Sequence, residues 1–315
     1  MRPARIALAV VAVAGGLIAT AEFGTRVLGL HRPVLYEATA YGYRVVPDQD
    51  LRRFGNHVFY NHFGMRSEPA TPRPAADVLR ILCVGDSVTN GGTSTDQAET
   101  YPYLLQRELA GKLGRGVEVL NASAGGWALE NAEGWLRANG IFGSRVVVLE
   151  VGTHDLFQRR AESDVVGRHP SFPAHPPFSG LTELWYRYVL PRLESVAPDT
   201  DPGVMLEQRS PSDVERELAT IDRIDALVRA DGGSLVVLHV PQPANLEPGD
   251  TTTRDAKRAL AAHLDAHHIP LVVSADALAR AGGVAAFRDG MHPNPRGNKA
   301  LAEVLAPAVI ALVRR

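Results

Sequence analysis

The residues of this chain that could do chemistry together are a serine after an apolar run, an aspartate and a histidine three residues apart, and a glycine between them in the sequence. Ser87 follows the apolar stretch 81–84 through Gly85 and Asp86. Its hydroxyl is a weak nucleophile and needs a base within hydrogen-bond reach. His292 is the candidate base. Asp289 precedes it by three residues, so one turn of chain can bring the carboxylate to the imidazole. That contact would fix the tautomer and stabilise the imidazolium formed when the hydroxyl attacks a carbonyl. A tetrahedral intermediate also needs donors aimed at its oxyanion. The bare N–H of Gly126 and the N–H of Ser87, at the start of the next helix, can supply them. Singly, these signals are weak. Gly-Asp-Ser is also an ordinary turn, Asp-x-x-His an ordinary surface loop, and a lone histidine such as His154 an ordinary structural residue.

The functional reading rests on the elements that would hold these residues. From Leu79 the chain alternates short apolar runs with amphipathic stretches. Strands are expected over 79–84, 117–120, 145–151, 234–240 and 270–275. Helices are expected over 101–113, 129–140, 212–233, 254–268 and 296–313, with Ser212 as a candidate cap and Gly232 as a stop. Such alternation implies an α/β fold with a parallel sheet covered on both faces. Ligands bind these sheets at the carboxyl ends of the strands. Four segments stand near such ends: "GDS" at 85–87, "NASAGGW" at 121–127, "GTHD" at 152–155 and "DGMHPNPRGN" at 289–298. All four should meet at one edge.

"GDSVTNGG", "NASAGGW", "GTHDL" and "DGMHPNPRGN", in this order and spacing, resemble the four sequence blocks of SGNH (GDSL-type) hydrolases. The resemblance covers residues 79–313. It implies a flavodoxin-like three-layer α/β/α fold with a mostly parallel five-stranded sheet, no metal or other cofactor, and hydrolysis of carboxylic esters, often acetyl or acyl groups on carbohydrates or lipids. By position it implies Ser87 as nucleophile, Gly126 as an oxyanion donor, Asp289 as the orienting acid and His292 as the base. The chain departs from the family at one place. The third block normally reads Gly-x-Asn-Asp, and the Asn side chain donates to the oxyanion. Here the position is His154, whose neutral ring still carries one N–H, so His154 is the expected third donor. An acyltransferase on the same triad and a non-catalytic glycan-binding relative are the alternatives to an esterase.

Residues 157–211 break the alternation as a Pro-rich insertion with a short helix, "LTELWYRYVL". Trp127, Phe157 and Trp185, with Phe172, Phe178 and Tyr186, are candidate apolar contacts for a substrate, and packing of a surface insertion explains them equally well. The remaining chain divides into 1–24, an extension over 25–75 and the hydrolase-like domain over 76–315. In the extension, "HVFYNHFGMRS" suggests a hairpin turning at 61–64, and "EPATPRPAAD" reads as a linker.

Arg2 and Arg5 precede an uncharged stretch over 6–21 that ends in Ala19-Thr20-Ala21. This is the pattern of a secretory signal. As a helix, those residues would span about 24 Å, short of the roughly 30 Å hydrocarbon core unless Glu22 sits at the interface. Cleaved signal and retained anchor both remain open, and either places the rest in the cell envelope or periplasm. The formal net charge of −2 gives no general attraction to nucleic acid. The single cysteine, Cys83, reads as a buried hydrophobe. Asn121-Ala-Ser matches a glycosylation sequon and reads better as the end of a strand. His263 and His267 are one helical turn apart. Lacking a third ligand, they read as a solvated helix face rather than a zinc pair.

Overall fold

The computed structural model describes residues 2–193, 210–246 and 251–314. Its elements are α1 (Arg2–Val27), β1 (Tyr36–Thr39), β2 (Gly42–Val45), β3 (Gln49–Arg53), β4 (Asn56–Tyr60), β5 (Leu79–Gly85), α2 (Ser87–Asn90), α3 (Tyr101–Leu113), β6 (Val117–Ser123), α4 (Leu129–Asn139), β7 (Val146–Gly152), α5 (Gly180–Glu183), α6 (Leu190–Leu193), α7 (Pro211–Ala230), β8 (Ser234–Val240), α8 (Thr251–Ala266), β9 (Leu271–Val273), α9 (Ala275–Arg280) and α10 (Pro295–Val313). A π-helical turn, Leu184–Val189, joins α5 to α6.

β5 to β9 form one five-stranded sheet in the order β6-β5-β7-β8-β9, and every neighbouring pair is parallel. Alternate residues of each strand face opposite sides, so the sheet builds two cores. Leu82, Val84, Val147, Leu149 and Val237 pack with residues of α4, α7 and α8. Ile81, Cys83, Val146, Val148, Val236 and Leu238 pack with residues of α3 and α10. This is the expected three-layer α/β/α fold. The Val-rich strands bury almost every side chain, as a sheet covered on both faces requires. Cys83 is wholly buried and burial pushes its thiol well up. Asn121 is also fully buried, inside β6 rather than at a surface turn.

Three local expectations shift. The hairpins of the extension are β1–β2 and β3–β4, with β4 pairing backwards onto β3. Residues 61–64 form a turn that no strand follows, because the chain beyond runs to β6, where the Arg66 N–H donates to the Asn121 carbonyl at 2.9 Å. Helix α7 is capped by Ser210, not Ser212, through its hydroxyl and the Asp213 N–H. β9 is only three residues long, because the Ser274 N–H and hydroxyl both donate to the His239 carbonyl and turn the chain into α9.

The extension lies within the same core as the sheet: Tyr36, Tyr43, Val45, Val58, Tyr60 and Met65 are all buried in the cluster that contains Leu82 and Leu149. Helix α1 continues past the apolar stretch through Glu22 to Val27. Pro3–Val27 is long and apolar enough to cross a membrane, and none of its apolar window is buried. Its last turns are tied to the rest. Glu22 pairs with Arg26 at 2.7 Å and accepts the N–H groups of Gly180 and Leu181 at 3.2 and 3.0 Å. Just beyond, Arg53 donates to the Gly29 carbonyl at 2.6 Å and pairs with Glu183 at 2.6 Å, both side chains buried.

Candidate active site

β5 ends at Gly85, where nothing larger than glycine fits. A Cβ would stand 2.3 Å from Thr89 Oγ1 and 2.9 Å from Glu150 Oε2. The next residue, Asp86, caps α2 by accepting the Val88 N–H at 2.7 Å. Ser87 is thereby the first residue of the helix, where a backbone N–H has no intrahelical partner. The carbonyls of α2 are held from outside. Asn121 Nδ2 donates to Thr89 O at 2.8 Å, and the buried Arg66 guanidinium donates to Asn90 O, Gly92 O and, at 2.7 Å, Thr95 O.

The structure brings His292 and Asp289 to this serine. His292 Nε2 lies 3.0 Å from Ser87 Oγ, and Nδ1 lies 2.9 and 3.0 Å from the two Asp289 oxygens. An ionised carboxylate only accepts, so the ring proton sits on Nδ1 and the Nε2 lone pair faces the serine hydroxyl. Burial alone would raise the Asp289 carboxyl. The His292 ring and the backbone N–H groups of His292 and Met291 outweigh it and hold the group well below the usual carboxylate range. The segment is fixed by the Arg288 N–H to the His292 carbonyl at 2.8 Å and by Asn294, which caps α10. The arrangement can take a proton from the hydroxyl and hold it.

The loop after β6 faces the same serine. A Cβ on Gly125 would lie 3.9 Å from Ser87 Cβ, and Gly126 has φ +76°, a left-handed value that favours glycine. Tyr43 Oη donates to the Gly125 carbonyl at 2.7 Å. A trans peptide sets its N–H opposite its C=O, so the Gly126 N–H points away from Tyr43. Gln158 Nε2 holds the Gly126 carbonyl at 3.0 Å, and Trp127 Nε1 donates to Tyr43 O at 2.9 Å.

Residues 83–300 match the model of the GDSL-like Lipase/Acylhydrolase family. The chain belongs to the GDSL-like lipase/acylhydrolase family. No curated protein matches it in sequence. Among solved structures it is similar to a lipolytic G-D-S-L protein from Veillonella parvula, with 15% identity, a TM-score of 0.48 and coverage of 74% of this chain and 98% of that one. It is similar to a carbohydrate acetylesterase, Est24, from Sinorhizobium meliloti, with 12% identity, a TM-score of 0.45 and coverage of 74% and 99%. For TesA the values are 20%, 0.47, 74% and 99%.

This member of the GDSL-like family uses its third block in an unexpected way. His154 is 3% exposed, and its Nε2 lies 3.2 Å from Asp86 Oδ2 and 3.3 Å from Asp155 Oδ1. The other edge of the ring packs on Gly152, where a Cβ would stand 2.6 Å from Nδ1. With Nε2 on these carboxylates and Nδ1 against Gly152, the ring is engaged with the acidic cluster. The imidazole is longer than the family's amide, and its distal nitrogen reaches the carboxylates of Asp86 and Asp155. Burial would raise Asp86, but the hydrogen bond from His154 and its charge bring it below the ordinary range. Glu150, on β7, completes the cluster. Burial and the neighbouring carboxylates push it well above its ordinary range.

The aromatic candidates divide into buried and exposed ones. Trp127 and Phe157 are 2% and 8% exposed and lie in the core, and Phe172 packs edge-on against Tyr36 and tilted against Tyr43. Trp185, Tyr186 and Phe178 are exposed on the segment that packs against the base of α1. Sequence reading missed Tyr43, Arg66 and Glu150. Only Glu150 carries a local signal, as a lone acid inside a Val-rich strand. Tyr43 and Arg66 reach the site through tertiary packing of the extension.

Proposed function

We propose that the protein is an envelope serine esterase that removes acetyl or other short acyl groups from a carbohydrate. The observation that carries this reading is the chain of hydrogen bonds Ser87–His292–Asp289 beside the Gly125–Gly126 turn. Ser87 Oγ attacks the ester carbonyl while His292 Nε2 takes its proton, and Asp289 stabilises the imidazolium. The N–H groups of Ser87 and Gly126 hold the oxyanion. His292 then returns the proton to the departing alcohol, leaving an acyl-Ser87. Water, deprotonated by the same His292, attacks this ester, releases the acid and restores the hydroxyl.

Two features support a short acyl group on a bulky, polar alcohol. The aromatic residues that could have lined an acyl tunnel, Trp127 and Phe157, are spent in the core. The His292 and Asp289 side chains are 27% and 45% exposed, so the rim is open to a large hydrophilic substrate. The protein should hydrolyse aryl acetate with a kcat/KM at least about tenfold above that for aryl octanoate, and should release acetate from an acetylated polysaccharide. One poorly accommodated methylene is worth about tenfold or more. A preference for octanoate would overturn the short-acyl reading. Transfer of acetyl to an added sugar faster than to water would make the protein a transferase.

The reading includes an uncleaved anchor. Glu22 is the residue a signal peptidase would leave at the new terminus, yet it lies mid-helix with its carboxylate on the first turn of α5. Around that junction stand exposed Trp185, Tyr186 and Phe54, residue types that settle at membrane interfaces. The full chain should float with lipid vesicles and retain its N-terminus through residue 2. A mature protein starting at Glu22 in the soluble fraction would refute the anchor.

A further inference from the structure

His263 and His267 stand one turn apart on α8, and α7 supplies what the sequence pair lacked. Asp222 Oδ1 lies 2.7 Å from His263 Nε2 and 3.9 Å from His267 Nε2, and the ligand atoms of all three lie within 4.8 Å of one another. The two imidazoles stack at 4.2 Å between centroids, so both direct their distal nitrogens to the same carboxylate. We propose that Asp222, His263 and His267 bind a divalent transition-metal ion, with zinc as the best-matched occupant.

The second ring nitrogen of His267 is fixed as well. His267 Nδ1 donates to the His263 carbonyl, 2.8 Å away within the same helix. That bond places the ring proton on Nδ1 and leaves a lone pair on Nε2, aimed at Asp222. A metal-binding histidine almost always has its other ring nitrogen fixed in this way. Zinc bonds of about 2.0–2.2 Å in tetrahedral geometry set ligand atoms about 3.3 Å apart. The 2.7 and 3.9 Å from Asp222 Oδ1 bracket that value, and the ligand atoms of all three residues lie within 4.8 Å of one another, so side-chain rotation without backbone movement can bring them to one ion. The side chains are 38%, 19% and 48% exposed for Asp222, His263 and His267, which leaves room for ion entry and a water as fourth ligand. Two imidazoles and one carboxylate suit zinc, copper or nickel, and offer magnesium or calcium too few oxygens.

The bound ion braces α7 to α8, the helices that lead into β8 and β9. None of its ligands belongs to the Ser87–His292–Asp289 set, so its role is in stability and not in ester cleavage. The test uses the untagged full-length chain in detergent, stripped with a chelator and titrated with zinc. One equivalent should bind, and the Tm should rise by about 5 °C once zinc exceeds its Kd a hundredfold. Cobalt should bind there with the visible absorption of a four- or five-coordinate ion. His267→Ala and Asp222→Asn should each weaken zinc binding by about a hundredfold while leaving the metal-free Tm within about 2 °C. Zinc binding of equal affinity in the wild type and both variants, or no saturable binding, overturns the site. Aryl ester hydrolysis should be the same with and without chelator. A chelator-sensitive rate would show that a metal acts in the chemistry and would overturn a purely structural role.

Discussion

Replacing Ser87 by Ala is expected to lower kcat for an activated aryl ester by about four to six orders of magnitude and to abolish labelling by a serine-directed phosphonate. His292→Ala loses about as much, and the double variant little more. The reason is the hydrogen-bonded chain at 3.0 and 2.9 Å. Without His292, the Ser87 hydroxyl has no acceptor for its proton. Without Ser87, the base has nothing to activate. Residues that act as one unit are grossly non-additive when removed. Asp289→Asn falls somewhat less, by about 10⁴, because the amide can no longer enforce the tautomer with Nδ1–H toward residue 289. Single-turnover rates and active-site titration with the phosphonate make the measurement. Losses that multiply in the double variant, or labelling that survives in Ser87→Ala, would remove the serine mechanism.

Much of this arrangement is legible in the sequence because it is local. β5, β7 and β8 are Val- and Leu-rich runs bounded by Gly or Asp, and a parallel sheet brings their carboxyl ends to one edge. Ser87, Gly126 and the Asp289–His292 pair each stand where a strand or the start of a helix places them. The hairpins of the extension were harder to read. Residues 56–60 are compatible with pairing forward across 61–64 or backward onto Gln49–Arg53, and alternation alone does not choose. Packing chooses, by burying Val58 and Tyr60 against Met65 and the sheet. The same holds for Arg66, whose guanidinium ties the last residue of α2 and the chain beyond it from 24 to 29 residues away. No short-range pattern encodes such a contact. Asp222 likewise completes a cluster across 41 residues.

The surroundings of His154 suggest a second role, beside the one its place in the motif implies. Position in a motif gave it the role of an amide, while side-chain length and two acidic neighbours decide where the ring goes. His154→Ala is expected to lower stability by about 3–5 kcal/mol, the cost of stranding a buried charge by removing its partner. Asp86, Asp155 and Glu150 share one buried site, and His154 is the hydrogen-bonded cation or donor that keeps Asp86 below its ordinary value. In the wild type, that depressed value is stability present above about pH 4 and lost as acid protonates the folded carboxylate. In the variant, Asp86 rises instead, since burial and its acidic neighbours act unopposed. The deficit relative to wild type should therefore be largest above the raised Asp86 value of the variant, and should shrink as the pH falls through that value toward the depressed value of the wild type. His154→Asn should recover part of the loss, because its amide can still donate, though with a shorter reach. Activity separates this role from the one expected of the family's amide. Measured well below the melting temperature, kcat in His154→Ala should fall by less than about tenfold, against the 10²–10³ that a lost oxyanion donor costs. Denaturant titrations at several pH values, paired with kcat on the same preparations, make the test. A loss of kcat by a factor of 10²–10³ at unchanged stability would return His154 to the oxyanion hole.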